Sequence, residues 1–432
     1  MSNETPLPAA IDPMLESDAP GQRRVSKRFL AALVFLTMSQ SVASVGLVLV
    51  SWPITIAALA PDHKALFLSV ITGLYALVVV IGVPVTGILS DRCTSRFGMR
   101  RPFIAVGAGI SIVGLLLMAY AHDIGALLVG ALIQAVGNAV VAGGTAALVP
   151  DQVPAATRGR AQGLITISLA ISGLIASILL PAFIGNQVML FAVPAAFKLV
   201  AALLVIALLR DRVLRPEDRP TGPAFRGFLA QFKVSPRAIP DYSWAWIGKV
   251  VVVLGSVLTT TYGVYYLTDH LKVGPGALPG LLSLGGVLGL LTAITGAALG
   301  SWISDRFRIR KNLVLVATVL IFLGAMVVAF APGVPYYFVG LLIMGLGTGA
   351  YGPVDGALFI DVLPGSGRES GKYMSLMTVA DQIPRSFGPI LGSAVVALGA
   401  LTALGGYPTV YMVGGVIALV GGLLVRKVRG SM

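Results

Sequence analysis

From Phe29 to Ala60 the chain carries no charged residue, and the same holds from Ala65 to Ser90, Phe103 to Ala121, Ile124 to Pro150 and Val273 to Ser304. Crossing a bilayer as a helix takes about 20 apolar residues, and each of these runs is of that order or longer. Two longer runs, Ala161 to Phe197 and Asn312 to Val354, must reverse once. Gly185-Asn186 and Pro332-Gly333-Val334-Pro335 supply the turns. Asp355, Asp381 and Arg385 interrupt later spans, and Gly405-Gly406-Tyr407-Pro408 marks the last reversal. This gives roughly twelve spans and an all-α polytopic membrane protein. Composition agrees: 56% of residues are hydrophobic and 11% charged, against roughly 25% charged in a soluble domain.

The net charge of +13 is confined to one side of the spans. Alternate connections hold Arg23, Arg24, Lys27 and Arg28; Arg92, Arg96, Arg100 and Arg101; Arg158 and Arg160. A central stretch adds Arg210, Arg212, Arg215, Arg219, Arg226, Lys233 and Arg237, and later ones add Arg306, Arg308, Arg310, Lys311, Arg368 and Lys372. The tail adds Arg426, Lys427 and Arg429, while the opposite connections hold only Lys64 and Lys272. Lys/Arg-rich loops stay cytoplasmic, so both termini are expected in the cytoplasm and the chain in the plasma or inner membrane. The basic clusters are expected to meet anionic lipid heads there. No basic face is interleaved with aromatics, which argues against nucleic acid. The first apolar block starts too late and runs too long for a cleaved leader. Cys93 is the sole cysteine, and His63, His122 and His270 do not cluster, so no metal site is expected.

The chain also repeats itself. Gly-Ile-Leu-Ser-Asp-Arg at Gly87 to Arg92 returns as Gly-Ser-Trp-Ile-Ser-Asp-Arg at Gly300 to Arg306. Ala147-Leu148 followed by Asp151, Pro154 and Arg158 returns as Ala357-Leu358 followed by Asp361, Pro364 and Arg368, with Gly130 and Gly340 in register. The expected organisation is a tail at 1–28, a six-helix bundle at 29–209, a linker at 210–240, a second bundle at 241–426 and a short tail at 427–432. Such parallel repeats are one transporter plan, with solute bound between the halves.

The run from Gly87 to Ile104, with Ser90-Asp91-Arg92, Arg96-Phe97-Gly98 and Arg100-Arg101-Pro102-Phe103, resembles the loop signature of the major facilitator superfamily. More narrowly it resembles the sucrose and glycoside–cation symporter group. The Pro150-Asp151-Gln152-Val153-Pro154 run with Arg158-Gly159 is similar to bacterial members of that group. The resemblance implies two pseudo-symmetric six-helix bundles and alternating access for a small solute; a monomer is expected. It also implies that the solute cavity is walled mostly by spans one, four, seven and ten. Gln40, Tyr75, Gln134, Asn138, Lys249, Tyr262, Tyr266 and Tyr351 are then the candidate solute contacts.

Acids recurring beside basic residues at span ends suggest latches rather than topology signals alone. Gly87 lets helix ends approach closely. Asp91 with Arg92, Asp151 with Arg158, Asp305 with Arg306, and Asp361 with Arg368 are the candidate pairs, with Arg100 and Arg101 alongside.

Five charges lie inside spans: Lys198, Lys249, Asp355, Asp381 and Arg385. Each costs about 2.5–3.5 kcal/mol at mid-helix unless paired or hydrated. In the fold implied, the sixth span is peripheral, so Lys198 is expected to snorkel or to find a structural partner. Lys249 either reaches the membrane edge or faces the cavity. Asp355 lies about 9 Å from the span end at Asp361, and Asp381 about 14 Å in from Lys372, at roughly 1.5 Å per residue. Arg385 is one turn beyond Asp381 on the same face. Two readings stay open for Asp355, Asp381 and Arg385: a coupling relay for a proton or other cation, and a structural pair neutralising Arg385.

No phosphate-binding loop, zinc signature or nucleophile motif occurs, so neither an enzyme nor ATP-driven transport is expected. The expected function is a secondary carrier of a sugar- or glycoside-like solute without a cofactor. The alternative is an exporter of a drug or secreted metabolite. The Gly-Pro-rich fifth-span motif usual in drug antiporters is absent at Ile171-Ser172-Gly173-Leu174, and Gly388-Pro389-x-x-Gly392 occurs only in the eleventh span.

Overall fold

The structure is a computed structural model that describes residues 27–146, 148–149, 153, 157–209, 211, 213–214, 239–307, 309–363 and 370–428. Twelve long helical rods account for nearly all of them, and no strand occurs among the described residues. The first six are α1 (Lys27–Gly46, continued by a π turn Leu47–Ser51 and by Trp52–Leu59), α2 (Lys64–Ser90), α3 (Arg101–Ala119), α4 (Ile124–Ala146), α5 (Arg158–Leu179) and α6 (Gln187–Leu208). The last six are α7 (Pro240–Thr261), α8 (Leu278–Phe307), α9 (Arg310–Ala329), α10 (Val334–Asp361), α11 (Ser370–Gly399) and α12 (Gly406–Val425). Past Tyr262, α7 continues through Gly263–Tyr265 and a π turn Tyr266–His270.

Eleven of the described helices are long and apolar enough to cross a membrane. The twelfth, α11, is as long, but Asp381, Gln382 and Arg385 lower its hydropathy. The protein is an all-α polytopic membrane protein. Helical spans suit lipid because each backbone N–H and C=O is satisfied within its own helix. Pro84 and Pro353 are accommodated inside α2 and α10. Pro53 follows the π turn of α1, where Ser51 Oγ donates to Leu190 O at 2.9 Å and ties α1 to α6.

Packing rests on small residues facing small residues. A methyl on Gly114 would sit 2.4 Å from Gln134 N, and one on Gly137 2.3 Å from Ser111 N, so α3 and α4 touch backbone to backbone. Gly324 and Gly347 bring α9 and α10 together in the same way, the first against Gly340 and Met344, the second against Ala317 and Ile321. Gly255 against Gly414 and Gly248 against Gly421 do so for α7 and α12.

Two helix pairs join the first six helices to the last six: α2 with α11, where Gly73 lies against Ser386 O and Ile390, and α5 with α8, where Gly286 lies against Ser177. One end of the molecule, called the basic end below, carries the helix termini at Ser90, Arg101, Arg158, Phe307, Arg310, Asp361, Ser370 and Val425. The other, or far, end carries Lys64, Ala119, Gln187, His270, Val334 and Gly399.

Candidate functional site

The far end is sealed across the two sets of helices. Lys64 Nζ of α2 pairs with Asp269 Oδ1 at 2.7 Å and lies 5.2 Å from the centre of the Tyr265 ring. Ser69 Oγ and Tyr262 OH are 2.7 Å apart, and Tyr265 OH donates to Pro53 O at 3.1 Å. One buried apolar cluster beneath them combines Trp52, Leu68 and Leu180 with Leu258, Tyr265 and Val410. Lys64 and Asp269 carry no sequence signal beyond lying near span ends; only the docking of α7's extension on α2 unites them.

At the basic end the described ion pairs each stay within one set of six. Asp91 pairs with Arg100, not with the adjacent Arg92 expected from the motif. The reason is the loop: Gly98 takes a φ of +105°, and this turn folds Arg100 back beneath α2, where it also donates to Ser90 Oγ at 2.9 Å. Asp211, which the motif reading missed, accepts the backbone N–H groups of Arg100 and of Arg101, the latter at 2.9 Å. The Arg101 guanidinium caps Ile206 O at the end of α6. Asp361 pairs with Arg310 at the start of α9. Its expected partner Arg368 lies outside the described residues, as does Asp151, and Arg158 is described only as the first residue of α5. Asp305 and Arg306 are exposed and make no described ion pair. Gly87 of α2 faces Gly143 O of α4.

Between these ends the intramembrane charges fall into two groups. In the last six helices, Lys249 of α7 reaches Asp355 Oδ2 of α10 at 2.8 Å and Asp381 Oδ2 of α11 at 3.3 Å. Tyr351 OH donates to Asp355 Oδ1 at 3.0 Å, and Lys249 Nζ lies 5.5 Å from the Phe359 ring centre. The two carboxylates do meet, but around Lys249 rather than Arg385. Arg385, one turn further along α11, is exposed and makes no described ion pair. Lys249, expected at the solute or at the membrane edge, is 5% exposed and serves as the cation of this cluster. The side chain of Asp355 is 1% exposed and that of Asp381 36%.

In the first six helices, Lys198 does not snorkel. It is buried and donates to Gln40 Oε1 of α1 and, at 3.3 Å, to Asn138 Oδ1 of α4. Gln134, one turn before Asn138, is fully buried with neither amide atom partnered. Tyr75 packs edge-on to Trp52 at 5.2 Å.

Of the other candidate contacts, Tyr266 is committed to packing. It stacks on Tyr337 at 5.3 Å, meets Tyr411 edge-on, and donates to Val328 O. Tyr262 belongs to the far-end seal and donates to Pro389 O at 2.7 Å. A cavity of about 390 Å³ lies between α1, α5, α7, α8, α10 and α12; its wall is largely apolar, with Val45, Leu282 and Met344, and includes Thr259, Thr260 and Ser177.

Two six-helix sets joined across one end, with buried charge clusters and a cavity lined by helices of both sets, make a membrane-transporter architecture. The chain belongs to the Major Facilitator Superfamily, whose model matches residues 29–389 and 279–430. It is 32% identical over 132 residues to a sucrose transport protein of Arabidopsis thaliana, covering 29% of this chain and 22% of that protein. It is 47% identical over 57 residues to an inositol transporter of the same plant, covering 13% and 10%. Less than a quarter of each of these relatives' length is matched. Among solved structures it is similar to the nucleoside transporter NupG, with a TM-score of 0.71 at 14% identity over 93% of this chain and 99% of that one. A bacterial homologue of the human lysosomal transporter Spinster gives 0.70 at 16% identity, over 95% and 98%.

Proposed function

We propose that this transporter is a proton-coupled carrier of a sugar- or glycoside-like solute, in which residues 29–209 and 241–426 rock about the bound solute. The observation that carries the coupling is the Lys249–Asp355–Asp381 cluster. One cation faces two carboxylates, so the cluster carries an excess negative charge. Asp355 is enclosed and held by Lys249 and Tyr351, whereas Asp381 is open on one side and more loosely paired. Asp381 is the carboxylate of the cluster that solvent reaches, and the coupling role is assigned to it. Neutral Asp381 no longer holds Lys249, which loosens one contact between α11 and α7 while Lys249 stays paired with Asp355 of α10. The sugar class draws on the local similarity to sucrose and inositol transporters.

The test uses purified protein in liposomes with a panel of glycosides. Asp381→Asn should abolish accumulation driven by a pH gradient while leaving solute counterflow within about twofold, since an uncharged group no longer responds to the gradient. Coupled accumulation that survives in Asp381→Asn removes the relay.

The basic end is assigned to the cytoplasm, in a plasma or inner membrane whose anionic lipids meet it. Reporter fusions after Arg96, Arg226 and Arg429 should read cytoplasmic, and one at Lys272 external. An external signal after Arg226 overturns both the orientation and the two-half arrangement. A second reading, export of a drug or secreted metabolite, is favoured by the apolar cavity wall. Uptake into everted vesicles, with none into right-side-out cells, would establish it.

A further inference from the structure

Lys198 presents a different problem from Lys249. Not one Asp or Glu lies within α1 to α6, and the described partners of this 2% exposed ammonium are two neutral amide oxygens. An ammonium has three N–H donors, and Gln40 and Asn138 take two of them. The first six helices hold further unanswered groups. Gln134 lies on the Asn138 face of α4 with both amide atoms unpartnered and no exposure, and Tyr75 OH of α2 is likewise unpartnered. Buried polar groups are almost always satisfied, and a buried charge calls for an opposite one. Gln40, on α1, is half-buried.

We propose that Lys198, Gln40, Asn138 and Gln134 form a subsite for the carboxylate of an acidic, polyhydroxylated solute. The carboxylate supplies the missing charge to Lys198. Gln134 and Tyr75 meet neighbouring hydroxyls, and the half-buried Gln40 side chain swings aside to admit the group. This rests on the reading of the protein as a carrier of sugar-like solutes and narrows that class to sugar acids. It also gives the two sets of helices different tasks: α1, α2, α4 and α6 hold the solute's charge, and α7, α10 and α11 handle the coupling proton.

The experiment is competition for binding and uptake by full-length protein in liposomes, using acid–neutral pairs of matched shape: gluconate with sorbitol, and lactobionate with lactitol. The acid of a pair should bind at least about tenfold more tightly, the size of one charge-assisted hydrogen bond. Lys198→Gln should erase that preference, so that acid and neutral partner bind alike, and Lys198→Arg should keep it. Asn138→Asp provides a second route that retains the lysine: an internal counter-ion should occupy the ammonium and lose the acid by a similar factor. Equal binding of acid and neutral partner by the wild type, or a preference that survives both Lys198→Gln and Asn138→Asp, overturns the subsite and leaves the sugar reading standing. Failure of every member of both pairs to bind a folded protein overturns both.

Discussion

Lys249→Met is expected to destabilise the protein by about 3–5 kcal/mol, because it strands the two carboxylates that the lysine joins. Asp355 suffers more, being the deeper of the two: its Oδ2 loses the 2.8 Å contact and keeps only the Tyr351 bond on Oδ1. The measurement is thermal unfolding in detergent, followed by tryptophan fluorescence. The double change Lys249→Met with Asp355→Asn should recover most of the loss. A neutral amide tolerates the site where an unpaired carboxylate does not, and Asp381, open on one side, can hydrate. Equal losses in the single and double variants would mean that the cluster does not act as an ion-pair unit. The comparison also separates structure from coupling, since Asp381→Asn alone leaves Lys249 paired with Asp355 and should cost little stability.

The second large effect belongs to the helix contacts. Gly114→Ala puts a methyl 2.4 Å from Gln134 N and 2.6 Å from Gly130 O, and both are backbone atoms that no rotamer change can move. The helices must separate, at a cost of about 3 kcal/mol, the upper part of the usual overpacking range. The equivalent Gly324→Ala, with Met344 N at 2.6 Å and Gly340 O at 2.7 Å, should behave alike. Gly109→Ala is the control: nothing lies within 4 Å of the added methyl, so no loss is expected. Yields of monodisperse protein and unfolding midpoints check all three. A harmless Gly114→Ala would show that α3 and α4 are not held at the spacing described.

The far-end seal and the loop at the basic end reveal how the two ends of the protein differ. Across the far end, an ion pair, tyrosine hydroxyls and a shared apolar cluster join the two sets of helices. At the basic end, Asp91–Arg100 and Asp361–Arg310 bind neighbouring helices within one set. These motif charges therefore brace each set locally in this state, whereas the two sets are joined by the α2–α11 and α5–α8 packing and, at the far end, by Lys64, Asp269 and Tyr262.

The amino-acid sequence by itself determined the class of fold, the span count and the internal repeat. Charge-free runs admit one solution in lipid, and Gly130 with Gly340 recur in register because both face a neighbouring backbone. It also brought Asp355 and Asp381 forward as a pair, since an intramembrane acid is costly wherever it lies. What only the tertiary structure decided is which cation answers them. Arg385 is close in sequence and only one turn from Asp381, yet it is exposed and takes no part in the cluster. Lys249 sits more than a hundred residues away and meets the acids because α7 packs between α10 and α11. The fate of Lys198 was equally out of reach. Its sequence neighbours are all apolar, and its partners on α1 and α4 come together only when the first six helices close around it. Helical periodicity fixes what lies along one rod, whereas the partner of a buried charge depends on how separate rods are rotated against each other, and that rotation is set by small-residue contacts summed over the whole bundle.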